Sequence, residues 1–241
     1  MDIHLPKVPH SWRELAKEIA IIVVGVVIAL FFDSIVDAWR WHRTVASAKA
    51  AMRHELLWDD GPQIYQRAAL HPCITASLDG IRSAVDSGAS RAEVAQLVNR
   101  FSLPFLSYDS VARDAANASD AWSHMGQDEA EPFTLLYAVM PLMNETSMRE
   151  AYDVGRLHAF SRTGGPLTQA ESSQLLHAVE ALRIDEQFMW TGADYQMREL
   201  RQLGPLDAES KRHLMQTARV HYGACVKDLP PDFATGPVPG Y

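Results

Sequence analysis

The sequence lacks the short motifs that mark most known active sites. Its 241 residues contain no G-x-S-x-G nucleophile elbow, no phosphate-binding Walker loop, no G-x-G-x-x-G dinucleotide fingerprint and no CxxC pair. These absences argue against the common hydrolase, nucleotide-binding and thiol-redox classes. We therefore expect a protein that is not an enzyme and that needs no cofactor.

The sequence also lacks an excess of basic residues. It has 22 Lys and Arg against 30 Asp and Glu, a formal net charge of −8. Residues 1–43 carry five residues of each sign, so the whole acidic excess lies in residues 44–241. An acidic surface repels phosphate backbones, which excludes nucleic acid as the expected partner. A basic protein partner is compatible with this charge.

Histidine is present, but it is not spaced for metal binding. No two of the ten histidines lie four residues apart, and the Glu-x-x-His pattern of di-iron bundles is absent. Asp120 with His124 and Glu209 with His213 have helical spacing, which is more typical of contacts on a solvated helix face. We therefore expect no metal site.

One long apolar run stands out in this otherwise polar chain. Ile19 to Phe32 is uninterrupted, and Leu15 to Val36 would span about 33 Å as a helix, enough for a ~30 Å hydrocarbon core. Tryptophan and lysine are typical of the two membrane interfaces. The expected transmembrane anchor covers residues 15–38, and its interfacial anchors are Trp12, Lys17, Trp39 and Trp41.

An uncleaved anchor explains this run better than a cleaved signal peptide. The nearest A-x-A site, Ala46 to Ala48, lies too far beyond the run for normal processing. Basic residues flank the run equally, so the positive-inside count does not orient it. A short tail before a long polar part favours a cytoplasmic N-terminus and a periplasmic bulk. Cys73 and Cys225, the only cysteines, allow one disulfide there, and two free buried thiols are the alternative.

Helix signals recur along the chain and strand signals do not, so the sequence predicts an all-α fold. Ser11-x-x-Glu14 is a capping box, and the helix that it opens should end at Gly61-Pro62. The predicted organisation is a long N-terminal transmembrane and stalk helix followed by a helical bundle. Its parts are an N-terminal tail (1–14), the anchor (15–38), a stalk helix (39–60), a periplasmic bundle (61–228) and a Pro/Gly-rich tail (229–241).

Helix start and stop signals within residues 61–228 predict the helices of the bundle. Pro72 suits a first helical position, and residues 86–88 should end that helix. Capping boxes begin at Ser90 and Thr168, and Gly204-Pro205 is a stop. We also expect short helices around Val111 and Trp122, a helix over residues 128–161 that Pro141 kinks, and a last helix from Asp207 to about Val226.

Two features of the anchor predict a partner in the membrane. Gly25-x-x-x-Ala29 presents a small-residue face that permits close helix approach in lipid. Asp33 and Asp37 lie one turn apart at the membrane edge, where a basic side chain of a partner would stabilise them. Chance spacing, and acids already in the headgroup region, are the alternatives.

The N-terminal part of the chain carries a recognisable set of residues: Glu18, Gly25, "IAL" at 28–30, "MRHEL" at 52–56 and "HPCI" at 71–74. With these residues, the first 80 positions or so resemble a loosely defined group of single-span, N-terminally anchored bacterial helical proteins of unknown function. It implies a proteobacterial inner-membrane location with a helical periplasmic domain. It implies no activity and no catalytic residue.

These observations favour a non-catalytic accessory or scaffold subunit of a bacterial inner-membrane complex, for example a respiratory, photosynthetic or transport complex. The expected partners are an integral membrane protein complex and the lipid bilayer. The alternative is a membrane-anchored sensor or small-ligand-binding module, which would need a cavity between its helices. A metal- or thiol-dependent enzyme would need at least three convergent ligands.

Overall fold

The computed structural model of the chain describes residues 12–162, 164–230 and 233. No strand occurs in this part of the chain, so the predicted all-α class is confirmed. Ser11, and with it the first predicted capping box, lies outside the described residues. The elements are α1 (Trp12–His54), a π-helical turn (Glu55–Asp60), α2 (Gly61–Asp86), α3 (Arg91–Arg100), α4 (Val111–Ala118), α5 (Gln127–Phe160), α6 (Gln169–Leu203), α7 (Ala208–Tyr222) and a 3-10 turn (Gly223–Cys225).

The chain divides into two compact units between Ser47 and Ala48. The N-terminal unit is the first part of α1, a single long apolar helix. An 18-residue stretch of this helix has a mean hydropathy of 2.9, and none of it is buried. Its length and composition would suit a single membrane span or a signal anchor.

The prediction that the first helix ends at Gly61-Pro62 is wrong. The helix continues through a π-helical turn into α2, and the Gly61 N–H donates to the Leu56 carbonyl, five residues back. In a regular α-helix the Pro62 ring would clash with the carbonyl of Trp58. A π-helical turn is wider than an α-helical one, so it accommodates the proline without ending the helix.

The prediction that Pro72 begins a helix is also wrong, because it lies inside α2. Proline has a helical φ, so its cost inside a helix is one missing hydrogen bond and a steric strain on the preceding turn. The neighbouring side chains Leu70, Cys73 and Ile74 are buried. Tertiary packing therefore maintains a helix that the local sequence would interrupt.

The remaining helix boundaries largely follow the predicted start and stop signals. Ser90 and Thr168 form complete capping boxes, and the Asp207 carboxylate accepts from the Ser210 N–H. Gly88 has a positive φ of 72° just after α2, which agrees with the helix end predicted at residues 86–88. α5 confirms the helix expected over residues 128–161.

Two boundary predictions need correction. Trp122 lies in hydrogen-bonded turns rather than in a helix, whereas the short helix around Val111 is confirmed as α4. The last helix ends at Tyr222 rather than near Val226, because Gly223 takes a positive φ of 70° and a 3-10 turn follows.

The core of the C-terminal unit lies among the long helices. α6 packs against both α2 and α5, α7 packs against α2, and α3 contacts α2 and α5. The stripes that the helical period predicts are buried, which confirms their core role. On α2 they are Ile74, Leu78, Ile81 and Val85, and on α6 they are Leu175, Val179, Leu182, Met189 and Ala193.

The α3–α4 connection (residues 101–110) has no regular structure, and side chains of other elements bind its backbone. The Leu106 N–H donates to Ser147 Oγ at 3.0 Å. The Tyr108 N–H donates to Asn144 Oδ1 at 2.8 Å, and Asn144 Nδ2 donates back to the Tyr108 carbonyl at 2.9 Å. The Asp109 N–H donates to Asp60 Oδ1 at 3.1 Å. Buried backbone groups need such partners, so these side chains keep the connection closed against the bundle.

Candidate functional site

The predicted docking residues of the anchor all lie on the exposed surface of α1. Gly25, Ala29, Asp33 and Asp37 are exposed, and a Cβ at Gly25 would meet nothing within 4 Å. Asp37 forms an ion pair with Arg40 at 3.3 Å within the same helix. No ion pair joins Asp33 to another of the described residues.

The predicted interfacial residues also lie on α1. Trp12 and Lys17 are exposed. The Arg43 guanidinium lies 4.8 Å from the centroid of the Trp39 ring. The Arg40 guanidinium lies 5.4 Å from the centroid of Trp41. Such stacking places positive charge beside an aromatic ring, the combination typical of a membrane interface.

Cys73 and Cys225 are joined in a disulfide, which is the pairing that the sequence allowed. Their Cα atoms lie 5.5 Å apart, and 152 positions separate them in the chain. Cys73 is buried on α2, and Cys225 is exposed at the end of the 3-10 turn. The disulfide therefore links the last helical turn of the described chain to the core.

The bundle also contains a buried ionic cluster that sequence reasoning missed. The Arg67 triad consists of Arg67 on α2, Glu150 on α5 and Glu186 on α6, and their side chains are at most 3% exposed. Arg67 Nη2 donates to both Glu150 Oε1 and Glu186 Oε2. His71 Nδ1 lies 2.9 Å from Glu186 Oε1, and the His71 ring stacks on Trp190. One guanidinium thus connects three helices.

The charge of the triad is not balanced. Two carboxylates share one guanidinium, so full ionisation would leave a net negative charge in the interior. Burial raises the pKa of Glu150 to about 7, against the lowering effect of Arg67. Nε and Nη1 of Arg67 have no hydrogen-bond partner within the described part of the chain. Glu150 is therefore a group that can hold a proton near neutral pH.

A second buried acidic site lies at the π-helical turn, formed by Glu55 and Asp60. The Tyr137 hydroxyl donates to Glu55 Oε1 at 2.7 Å, and the Ala112 N–H at the start of α4 donates to Glu55 Oε2 at 2.8 Å. Burial raises the pKa of Asp60 to about 8, although the hydrogen bond from the Asp109 N–H acts in the opposite direction. Burial also raises the pKa values of Tyr108 and Tyr137.

The arrangement offers proton binding but little other chemistry. The described residues include no group of three His, Cys, Asp or Glu side chains that could hold a metal ion. A groove of about 440 Å³ runs along α5 and is open to solvent. Its lining residues are Glu145, Met148, Arg149, Tyr152, Asp153 and Arg156.

The sequence did carry a signal for the triad, namely charged residues at core positions. On α6, Glu186 falls between the buried Leu182 and Met189 at spacings of four and three. On α5, Glu150 lies seven residues from both Met143 and Leu157, which are also buried. A charge at such a position on an apolar stripe is rare unless it is paired.

The fold defines an all-helical protein with one long apolar N-terminal helix. No family model, curated protein or solved structure matches this chain.

Proposed function

We propose that this chain is a non-catalytic accessory subunit, anchored by α1 in a bacterial inner membrane and bracing a membrane protein complex with its helical bundle. The observation that carries the proposal is the exposed apolar stretch of α1, with its mean hydropathy of 2.9. Apolar surface in water costs about 25 cal/mol per Å². A lipid or protein environment around this helix removes that cost.

The small-residue face and the carboxylates of α1 support docking to a partner within that environment. Gly25 leaves open space on the helix surface, where a second helix could approach closely. Asp37 already has Arg40 as an intrahelical partner, so Asp33 is the carboxylate that a basic residue of the complex would stabilise.

The disulfide supports a periplasmic location for the bundle. Disulfides persist in oxidising compartments such as the periplasm and are rare in the bacterial cytosol. The acidic excess in residues 44–241 suits a location away from anionic phosphates. On this proposal the N-terminus lies in the cytoplasm and the chain crosses the membrane once.

The alternative proposal, a membrane-anchored sensor or ligand-binding module, has less support. Small-ligand sites are usually concave and enclose most of the ligand. The groove along α5 is open to solvent and is lined mainly by charged side chains, including Arg149 and Arg156.

The test is affinity capture of the tagged chain from native membranes in a mild detergent. We expect the wild-type chain to recover a large complex in fixed stoichiometry. Gly25→Leu fills the small-residue face and should release the partner. Ala20→Leu is the control, because it adds nearly as much bulk about 140° around the helix from Gly25 and should retain the complex. A monodisperse monomer from wild-type membranes would contradict the proposal.

A further inference from the structure

Asp60 is buried in an unusual position for a carboxylate. It lies in the π-helical turn with 0% exposure, and its Oδ2 atom has no hydrogen-bond partner in the described ranges. The Tyr108 hydroxyl on the α3–α4 connection is also buried, and it too lacks such a partner among these residues. The N–H of the residue after Tyr108, Asp109, donates to Asp60 Oδ1 at 3.1 Å, so Asp60 and Tyr108 belong to one site.

The two buried acids of the π-helical turn, Glu55 and Asp60, bind the backbone of the same short stretch of chain. Asp60 Oδ1 accepts from the Asp109 N–H at 3.1 Å, and Glu55 Oε2 accepts from the Ala112 N–H at 2.8 Å. A neutral carboxyl group keeps its carbonyl oxygen as an acceptor for this N–H. An ionised Asp60 would place a charge in the interior beside a second carboxylate.

We propose that Asp60 is a proton-binding site that controls the α3–α4 connection. The connection closes over the π-helical turn when Asp60 is protonated, and it opens when Asp60 loses its proton. Opening exposes the carboxylate to water, which removes the cost of its burial. The proposal does not depend on the membrane anchor, because every group in it belongs to the C-terminal unit.

The groups around Asp60 favour the protonated form. Burial is the largest effect on Asp60, and three nearby carboxylates add to it through repulsion. The nearest cations face other groups: Arg67 acts to lower the pKa of Tyr108, and Arg113 acts to lower the pKa of Tyr137. Neither arginine forms an ion pair with Asp60 within the described chain. The charged and titratable groups at this site are Glu55 and Asp59 from the π-helical turn, Tyr108 and Asp109 from the connection, Tyr137 and Glu150 from α5, Arg67 from α2 and Arg113 from α4.

The sign of the pH effect follows from these values. The pKa of Asp60 is about 8 in the closed state, against 3.8 for an exposed aspartate. Between these values the closed state binds one more proton than the open state, so acid favours closure and alkali favours opening. Linkage then gives a rise in the opening equilibrium of at most about 50-fold from pH 6 to pH 8.

Hydrogen exchange of the full chain in detergent micelles tests this inference. Protection of the amides in residues 101–112 is measured at pH 6, 7 and 8 and corrected for the intrinsic pH dependence of exchange. We expect their protection to fall by roughly 10- to 50-fold over this range. Residues 91–100 of α3 have no such link to Asp60 and serve as the internal reference.

Asp60→Asn is the decisive variant, because asparagine resembles the protonated acid and does not titrate in this range. It should keep the connection closed and make its protection independent of pH. Asp59→Asn removes the same charge from an exposed neighbour and should leave most of the pH dependence in place.

Two outcomes would overturn the inference. One is wild-type protection of residues 101–112 that stays constant, or rises, between pH 6 and pH 8, a result that needs no variant. The other is an Asp60→Asn protein that folds and retains the full wild-type pH dependence, which would assign the proton to another group such as Glu150.

Discussion

Replacing Arg67 with methionine should destabilise the bundle, and by less in acid than near neutral pH. Methionine fills a similar volume without a charge, so the change removes the cation and leaves most of the packing. Glu150 and Glu186 then remain buried without the guanidinium that binds both. Breaking a buried ion pair from one side typically costs about 3–5 kcal/mol, because the remaining charge is uncompensated.

The magnitude should shrink in acid. Without Arg67 the pKa of Glu150 rises above its wild-type value of about 7, so the folded variant retains at pH 7.5 a proton that the folded wild type has mostly released. Each additional retained proton contributes about 1.4 kcal/mol of stability per pH unit as the pH falls. The loss measured at pH 7.5 should therefore shrink by up to about 1 kcal/mol at pH 5.

The assay is urea unfolding of the full chain in detergent, followed by circular dichroism at both pH values. Arg82→Met is the matched control, because Arg82 is on the same helix but pairs with Glu180 and Asp86 at the surface. Loss of a surface pair costs about 1 kcal/mol or less. The reasoning would be refuted by an Arg67→Met loss that equals that of the control, or that stays the same at pH 5 and pH 7.5.

Two further predictions concern covalent and steric constraints on α2. Replacing Cys73 and Cys225 with serine opens a loop of 152 residues, and the chain-entropy model predicts a loss of about 5 kcal/mol in the free energy of unfolding. A wild-type melting temperature that does not change when reductant is added would contradict this prediction. Gly61→Ala should lower the free energy of unfolding by about 1–3 kcal/mol. The added Cβ would overlap Leu206 Cδ2 and would lie 2.6 Å from the carbonyl oxygen of Leu56. Gly80→Ala meets nothing within 4 Å and should stabilise α2 by up to about 1 kcal/mol, so equal effects in the two glycine variants would count against the steric argument.

The sequence predicts local features of this fold well where short-range chemistry determines them. Ser90 and Thr168 carry the capping-box spacing, and both boxes are present. The apolar stripe of α6 has the helical period, and its side chains are buried. These features depend on residues three or four positions apart, so the sequence alone contains what is needed.

Tertiary packing determines the features that the sequence did not predict. Gly61-Pro62 is typical of a helix stop and Pro72 of a helix start, yet one helix passes through both because buried neighbours stabilise it. The Arg67 triad joins residues that are 83 and 119 positions apart, and no local pattern contains that pairing. Only the placement of charges on apolar stripes pointed to it.

The triad also has a consequence for the alignment of the helices. An apolar contact between two helices tolerates a slide of one turn, about 5.4 Å, because one leucine can replace another in the same gap. A guanidinium must instead meet a carboxylate on each of two neighbours at once. Arg67 therefore sets the register of α2 against α5 and α6, and we expect its main contribution to be the choice of one packing arrangement rather than net stability.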